Sequence, residues 1–344
     1  MRQVRSAVHV VVCALAVTAA LCPQTALAKK SYADKSFSVR LPPAFIRFRE
    51  VAAMGGETVA NRFSSAINPA AADWTPMAPR RLAISPYWTR ICFQEGTRLD
   101  VYGETVVLDL GDGGVLTPTL SQIRSTEGTL RSGLDFKYKV DTVQLQWAKR
   151  WGNVAFGALF NYTEAEVIHR LGDLTISKSD AESYRVRLGG LAELAPKWLL
   201  GVAFEYGWAP YDADLLTFTQ MGPVTVHDKG RAHQVVLRPG LSFEYMPGSS
   251  LYVDYQFGYF LAPGDHLHSH RFTMGVDQRV SEFLWLRASV SIDVRGHAGV
   301  SLGGSLHLSE HFSIEFGWQC NMLPELEPDF GASNAVQVVL AARF

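Results

Sequence analysis

Apolar and polar residues alternate through most of the chain after residue 140, and this two-residue period is the strongest constraint on the fold. In "LWLRASVSIDVR" (284–295) every second side chain is apolar. Successive side chains of a β-strand point to opposite faces, so such runs predict strands with one apolar face. Similar runs are "KWLLGVAFEYGW" (197–208), "LYVDYQFGY" (251–259) and the chain end "AVQVVLAARF" (335–344).

The length of these runs favours strands that cross a membrane. They hold about 10 residues or more, enough for a tilted strand to span a bilayer, whereas strands of soluble sandwiches hold roughly 5–6. Short turns alternate with longer connections such as 171–180, 209–230 and 321–334, which are predicted to be external loops. Aromatic residues near strand ends predict an interfacial girdle: Trp147, Trp151, Trp198, Trp208, Tyr245, Trp285 and Trp318.

These patterns predict an all-β fold, an antiparallel transmembrane β-barrel. Counting strands between the short turns gives about twelve, with fourteen as the alternative if residues 82–110 divide into further strands. No apolar stretch approaching 18 residues follows residue 28, so a helical membrane protein is excluded. An outer-membrane location in a bacterium follows from this fold class.

The chain divides into three parts. Residues 1–28 carry Arg2 and Arg5, an apolar run and the small-residue end "TALA", which predicts a cleaved signal peptide. Residues 29–81 do not alternate and form an N-terminal extension or hatch, and residues 82–344 form the barrel. A short helix is predicted from about Glu57 to the Asn68-Pro69 dipeptide. The extension is either periplasmic or folded as a plug inside the lumen.

Charge and cysteine content narrow the function. Cleavage after residue 28 leaves 30 basic and 33 acidic residues, a net charge of −3, which gives no support for nucleic-acid binding. Cys92 and Cys320 are then the remaining cysteines, and we expect both to be free thiols on strands that are not neighbours.

The segment "AAMGGETVANRFSSAINPAAADW" (52–74) resembles the N-terminal hatch of the FadL-type outer-membrane transporters of fatty acids and aromatic hydrocarbons. "VQLQWAKRWGNVAFGALFNY" (143–162) is similar to a strand, tight turn and strand of the same family. The resemblance implies a small hydrophobic ligand, captured outside by apolar surfaces and released when the hatch moves near Asn68–Ala70. The matching hatch positions are Gly55, Gly56, Glu57, Asn68, Pro69 and Ala70.

Charged residues occupy the alternate positions opposite the apolar face, and we expect them to line the lumen. They could form a polar conduit with a cationic bias, or pair across the lumen and stiffen the wall. The predicted lumen residues are Arg185, Arg187, Glu205, Arg238, Glu244, Asp254, Arg271, Asp277, Arg279, Arg287, Asp293, Glu315 and Arg343.

No enzyme activity and no cofactor are predicted. The alternate histidines His266, His268 and His270 are a weak candidate for a metal site. Ser269 beside His268 cannot act with it as a nucleophile and base, because adjacent strand residues point to opposite faces. Pro239 lies within a predicted strand, where it removes one ladder hydrogen bond and could mark a bulge.

The last strand resembles the C-terminal targeting signal that the barrel-assembly machinery reads, through Val336, Val338, Leu340, Ala342 and Phe344. The predicted function is passive uptake of small hydrophobic compounds through a hatch-plugged lumen. Outer-membrane lipids are expected to surround the barrel. Two alternatives stay open. One is a barrel that serves as anchor or shuttle in a secretion or envelope-assembly pathway, and the other is a channel for small polar or anionic solutes.

Overall fold

The computed structural model describes residues 58–61, 65–74, 82–126, 128–130, 132–219, 222–263, 265–321 and 327–344. The predicted signal peptide and the hatch residues Gly55, Gly56 and Glu57 lie outside these ranges. Within the described ranges, no helix has the length and apolar character needed to cross a bilayer.

In the described ranges, fifteen strands form one antiparallel sheet, and nearly all of them pair with their neighbours in sequence. Their bounds are β1 Leu82–Phe93, β2 Arg98–Asp109, β3 Val115–Thr126, β4 Gly128–Thr129, β5 Asp135–Trp151, β6 Val154–Leu171, β7 Leu174–Ala195, β8 Trp198–Thr219, β9 Gly222–Met246, β10 Ser249–Ala262, β11 Asp265–Arg279, β12 Leu284–Asp293, β13 Ala298–His307, β14 Phe312–Cys320 and β15 Ser333–Arg343.

The sheet closes on itself. β15 pairs with β1 from Ala83↔Arg343 to Phe93↔Ser333, and the backbone N–H of Phe344 donates to the carbonyl oxygen of Leu82 at 2.8 Å. The two-residue β4 pairs with β5 directly beyond the stretch of β5 that pairs with β3. β3 and β4 together therefore fill one strand position in the wall. The wall is therefore a barrel of fourteen strands without a free edge.

The predicted all-β barrel is confirmed, but the preferred count of twelve strands is wrong. Residues 82–126 form three strands, where the count of twelve assigned one. Pro86, Arg90, Asp100 and Glu104 occupy outward positions of β1 and β2, so these strands lack the apolar alternation that marks the later ones.

The strands differ in height. β7, β8 and β9 contain 22, 22 and 25 residues, whereas β12, β13 and β14 contain 10, 10 and 9. A crossing needs about 9–11 residues, so the long strands project beyond the bilayer. They project at the end opposite Phe344, which we assign as the external end. The predicted loop 171–180 is wrong, because β6 and β7 are joined by a turn at Gly172 and Asp173, and most of 209–230 is likewise strand.

The two faces of the wall differ as expected for a membrane protein. Large apolar side chains are exposed on the outer face, for example Val143 (52%), Phe160 (46%) and Met274 (65%). Trp285 departs from the predicted girdle, because it occupies an inward position of β12 and lines a cavity beside Asp277. The sheet therefore presents an apolar belt to lipid.

Two smaller predictions have clear outcomes. Cys92 and Cys320 form no disulfide in the described part of the chain, as expected, and both pair with Asn334 of β15 from opposite sides. Pro239 interrupts the β9–β10 ladder between Asp254↔Gly240 and Phe257↔Leu237, but the register is the same on both sides, so no bulge forms there.

Candidate functional site in the lumen

Residues 58–61 and 65–74, here called the internal segment, lie inside the barrel near its periplasmic end. A short 3₁₀ helix, Pro69–Asp73, begins after Asn68, whose side-chain Oδ1 accepts from the backbone N–H of Ala70 at 3.1 Å. Proline fits the first helical position, where its missing N–H costs nothing. The Nδ2 of Asn68 also donates to the carbonyl oxygens of Val59 (2.8 Å) and Gly190 (3.0 Å). One fully buried amide thus joins two parts of the segment to the wall.

Four inward glycines of the barrel form a shallow bed for the internal segment, here called the glycine seat: Gly157, Gly189, Gly201 and Gly240. They form two cross-strand pairs, one on β6 and β7 and the other on β8 and β9. A Cβ atom added to Gly157 would lie 2.4 Å from the carbonyl carbon of Pro69, and one added to Gly201 would lie 2.1 Å from the oxygen of Val59. The backbone of the segment therefore approaches the wall as closely as glycine permits.

Two buried carboxylates of the wall join the internal segment to arginines of the barrel. Asp254 accepts from the backbone N–H of Val59 at 2.8 Å and from the Thr58 hydroxyl, and it forms an ion pair with the Nε of Arg238 at 3.3 Å. Its side chain is 2% exposed, so these partners replace the water that the charge would otherwise need.

Asp277 repeats this arrangement on β11. Its Oδ2 accepts from the Nδ2 of Asn61 at 3.3 Å, and its Oδ1 lies 3.6 Å from the Nε of Arg287. The two aspartates are therefore shared between wall and segment, which makes each of them a fastening point.

A third fastening point is the guanidinium of Arg187. Its Nη1 donates to the carbonyl oxygens of Ala66 (2.5 Å) and Ile67 (3.3 Å), and its Nε donates to Glu205 at 2.8 Å. Gln234 donates to the other oxygen of Glu205 at 2.7 Å. The network satisfies a buried ion pair at most of its polar atoms, as burial requires.

The periplasmic side of the segment is fixed by Asp73 and Trp74. Asp73 accepts from the backbone N–H of Arg150 at 2.5 Å, and the guanidinium of Arg150 lies 4.2 Å from the centre of the Trp74 ring. Burial raises the pKa of the Asp73 carboxyl, while the N–H of Arg150 opposes the shift.

The structure places six of the thirteen predicted lumen residues in these fastening points: Arg187, Glu205, Arg238, Asp254, Asp277 and Arg287. Three arginines are thus paired with acids, the arrangement expected if charges stiffen the wall. The other seven occupy further inward-facing positions: Arg185, Glu244, Arg271, Arg279, Asp293, Glu315 and Arg343.

An apolar group of inward side chains, here called the mouth cluster, lies in the external half of the lumen. Phe330, in the short helix Glu327–Phe330, has its ring 5.0 Å from those of Phe93 and Phe136. The members are Tyr87, Ile91, Phe93, Leu99, Val101, Ile123, Leu130, Phe136, Tyr138, Val140, Ala165, Val167, Phe330 and Ala335. The sequence predicted apolar groups on the lipid face alone, so this interior cluster was missed.

A signal for the mouth cluster is present in β5. Val143 and Leu145 point outward, but Phe136, Tyr138 and Val140 point inward, so the apolar phase reverses within the strand. The lysines at 137 and 139 take the outward positions there. Such a reversal indicates where a strand leaves the bilayer, because only the lipid-facing stretch needs an apolar outer face.

The alternate histidines do not form a metal site. His266, His268 and His270 lie on the outward face of β11, where the His268 ring contacts Tyr259 with centroids 4.8 Å apart. Among the described residues, no group of three or more His, Cys, Asp or Glu is placed to hold a metal ion. Ser269 is buried on the opposite face from His268, as strand geometry requires.

The C-terminal signal residues share the outward face of β15. Val336, Leu340 and Phe344 are exposed by 45%, 51% and 61%. Val338 and Ala342 lie in the same alternate positions. Their side chains are therefore accessible from outside the barrel.

The fold matches solved outer-membrane channels. The CymD monoaromatic hydrocarbon channel is 13% identical, with a TM-score of 0.58 over 89% of this chain and 98% of that one. The toluene transporter TbuX of Ralstonia pickettii is 14% identical, with a TM-score of 0.55 over 85% and 97% of the two chains. The P. putida toluene transporter TodX is 13% identical, with a TM-score of 0.52 over 85% and 96%.

These matches confirm the predicted resemblance to the FadL-type hydrocarbon channels at the level of the fold. No protein-family model and no curated relative matches the sequence.

Proposed function

We propose that this outer-membrane barrel, with the fold of FadL-type hydrocarbon channels, is a passive channel for small hydrophobic compounds. The mouth cluster carries the proposal. The inward-facing apolar side chains at the external end are buried against one another, so an apolar molecule that displaces the Phe330 side chain would leave water there, which a conduit for polar solutes would not need. The internal segment then closes the periplasmic half and must shift before the molecule passes.

The fastening of the internal segment supports such a shift. The described segment is held by a few polar groups, Asn68, Asp254, Asp277 and Arg187, and it rests on backbone at the glycine seat. A shift of the segment exchanges these hydrogen bonds for bonds to water, at a net cost of about 0.5–3 kcal/mol each, and the packing of an apolar ligand against the displaced segment has to offset that cost. No energy source is required.

The charge distribution weighs against a channel for anions. Arg187, Arg238 and Arg287 each face an acid within 4 Å, so their charges are neutralised locally. The alternative of an envelope-assembly shuttle is not favoured by any specific contact. The outward face of β15, ending in Phe344, is proposed as the surface that the barrel-assembly machinery reads.

Uptake of radiolabelled toluene and oleate by cells that express the chain tests the proposal. Replacing Phe330→Asp places a charge in the mouth cluster and should reduce uptake several-fold, because burying an ion among apolar groups is costly. Phe283→Asp, at an exposed turn on the periplasmic side, is the matched control and should leave uptake unchanged.

Measurements on the same cells and on protein purified from them distinguish the proposed function from its alternatives. Unchanged uptake in Phe330→Asp together with steady ion conductance of the intact protein in planar bilayers would favour the polar channel. Stable co-purification with other envelope proteins and indifference to both hydrocarbons would favour the assembly role.

A further inference from the structure

A band of neutral polar side chains, here called the polar band, separates the mouth cluster from the internal segment. It lies on the inward faces of β3, β5 and β6, on the periplasmic side of Ile123, Val140 and Ala165. Its buried members are Thr117, Thr119, Gln144, Gln146, Asn161 and Thr163. The Nε2 of Gln146 donates to the carbonyl oxygen of Pro69 at 3.2 Å, so the band reaches the segment. A molecule that moves inward from the mouth cluster therefore meets this band before the segment.

Several members of the polar band bond to one another or to their neighbours. The hydroxyl of Thr163 donates to the Oδ1 of Asn161 at 3.0 Å, and the Nε of Arg185 donates to the same oxygen at 3.2 Å. The hydroxyls of Thr119 and Thr105 form a bond of 3.1 Å across the β2–β3 ladder. Such bonds are what the burial of polar groups requires.

Three polar groups at this level of the lumen lack such a bond. The Nε2 of Gln144, the Oγ1 of Thr117 and the Oη of Tyr87 are buried and have no hydrogen-bond partner in the part of the chain that the structure describes. Their side chains are 6%, 4% and 9% exposed. Buried polar groups without a partner destabilise a folded protein and are uncommon, so three of them on one part of the wall indicate a site that a ligand completes.

The sheet brings the three groups to one part of the wall. Thr117 pairs with Gln146 on the β3–β5 ladder, and Gln144 is the next inward residue of β5. The ring of Tyr87 lies over Gly103, its partner on β2, where an added Cβ atom would overlap the ring and its hydroxyl. The glycine thus lets a hydroxyl from β1 reach β2, one strand spacing of about 4.8 Å from β3.

The chemistry of the three groups selects a neutral oxygen. Two are hydroxyls and one is an amide, and each can donate a hydrogen bond without carrying a charge. A carbonyl oxygen accepts such bonds through its two lone pairs and needs no counter-charge. A hydrocarbon offers no acceptor and would leave the donors as they are.

We propose that the polar band binds the oxygen of a neutral carbonyl compound, a ketone, aldehyde or ester, whose apolar body remains in the mouth cluster. The assignment rests on the proposed function, because the molecule enters through the mouth cluster. It narrows the small hydrophobic compounds to those that carry one carbonyl oxygen. Such a molecule gains hydrogen bonds at the band that a hydrocarbon of the same shape cannot form.

Acetophenone and α-methylstyrene are matched probes, because they share a shape and differ by a carbonyl oxygen against a methylene group. Saturation-transfer NMR of the full-length protein in detergent measures the binding of both, with empty micelles to correct for partition. The wild type should bind acetophenone at least about fivefold more tightly. Tyr87→Phe and Gln144→Met should each reduce this preference. Tyr102→Phe, which removes the phenol of an exposed tyrosine on β2, is the matched control and should keep it.

Thermal unfolding of the same proteins distinguishes a binding role from a structural one. Tyr87→Phe and Thr117→Val remove hydroxyls without a partner among the described residues, so the unfolding temperature should equal or exceed that of the wild type. A hydroxyl with a structural partner would lower it when removed. If Gln144→Met does not reach the heat-modifiable folded form, Thr117→Val replaces it in the binding measurement.

The outcomes separate this proposal from the proposed function. Equal affinity of the wild type for the two compounds, or lower unfolding temperatures in both hydroxyl variants, overturns the carbonyl site and leaves the hydrophobic channel standing. Binding of neither compound contradicts both. An unchanged preference in Tyr87→Phe, Gln144→Met and Thr117→Val also overturns the site.

Discussion

Gly157 and Gly189 face each other across the β6–β7 ladder, and the Asn68-Pro69 dipeptide of the internal segment lies directly on both. The contact involves backbone on one side and the first residues of a 3₁₀ helix on the other, with no room for a side chain. The position of the segment is thus set by the absence of two Cβ atoms, at glycines that lie 89 and 121 residues after Asn68 in the chain.

Replacing Gly189→Val should lift the internal segment from the wall. The new Cβ would meet Asn68 Oδ1 at 2.1 Å and Pro69 Cδ at 2.7 Å, and neither neighbour belongs to a flexible chain end. We expect steady ion conductance in planar bilayers, where the wild type conducts weakly. Gly190→Val is the control, because its added Cβ meets nothing within 4 Å. Equal conductance of both variants would contradict the inference that the internal segment rests directly on Gly189.

Asn68→Ala should loosen the segment while the barrel still folds. The change removes the donors to Val59 and Gly190 and the acceptor for Ala70, at a cost of about 1–3 kcal/mol for the groups left unpaired. Hydrogen–deuterium exchange of residues 58–74 should accelerate, and entry of hydrophobic substrate should change. Asn153→Ala, which loses one bond at an exposed turn, should leave exchange of the segment as it was.

Asp254→Ala should destabilise the folded protein by about 3–5 kcal/mol, because Arg238 would keep a buried charge without its acid. Asp141→Ala breaks the Arg124 pair, whose side chains are 36% and 41% exposed, and should cost no more than about 1 kcal/mol. Urea unfolding in detergent micelles measures both. Similar losses for the two variants would mean that Asp254 is not a fastening point.

Barrel closure can be tested with one new thiol. Asn334 is the cross-strand partner of both Cys92 and Cys320. In Cys320→Ser/Asn334→Cys, oxidation should join β15 to β1, because cross-strand Cα atoms lie about 4.5–5.5 Å apart, within disulfide range. The product should show altered mobility on a non-reducing gel. The wild type should form no internal disulfide, and failure of the variant to cross-link would indicate an open seam.

Much of the barrel could be predicted from the sequence, because lipid imposes the same demand on every strand. Residues 284–294 alternate strictly, and β12 forms there. One strand was expected within residues 82–110, where both β1 and β2 form, because their outward positions carry Arg90 and Asp100, which neutralise each other and so need no apolar neighbour. A charge pair between strands cannot be seen until the register is known.

The contacts of the lumen were harder to predict. Asp254 and Arg238 were expected to face inward, but the hydrogen bond from the Val59 N–H to Asp254 links residues 195 positions apart. Gly201 reads in sequence as a small residue in an alternating strand, and only the approach of the Val59 carbonyl shows why a side chain is excluded. The inverted phase at Phe136 and Tyr138 was readable, since period two holds on both sides of the reversal.

The glycine seat also bears on the order of assembly. Its members are distributed over β6, β7, β8 and β9, and the carboxylates that hold Thr58 and Asn61 follow on β10 and β11. A segment synthesised before all these strands has no docking surface until half of the wall exists, and the closed ring leaves it no sideways route in. The segment therefore docks either while the sheet curls around it or through the periplasmic end of the closed wall, and in both cases only after β6 to β11 are in place.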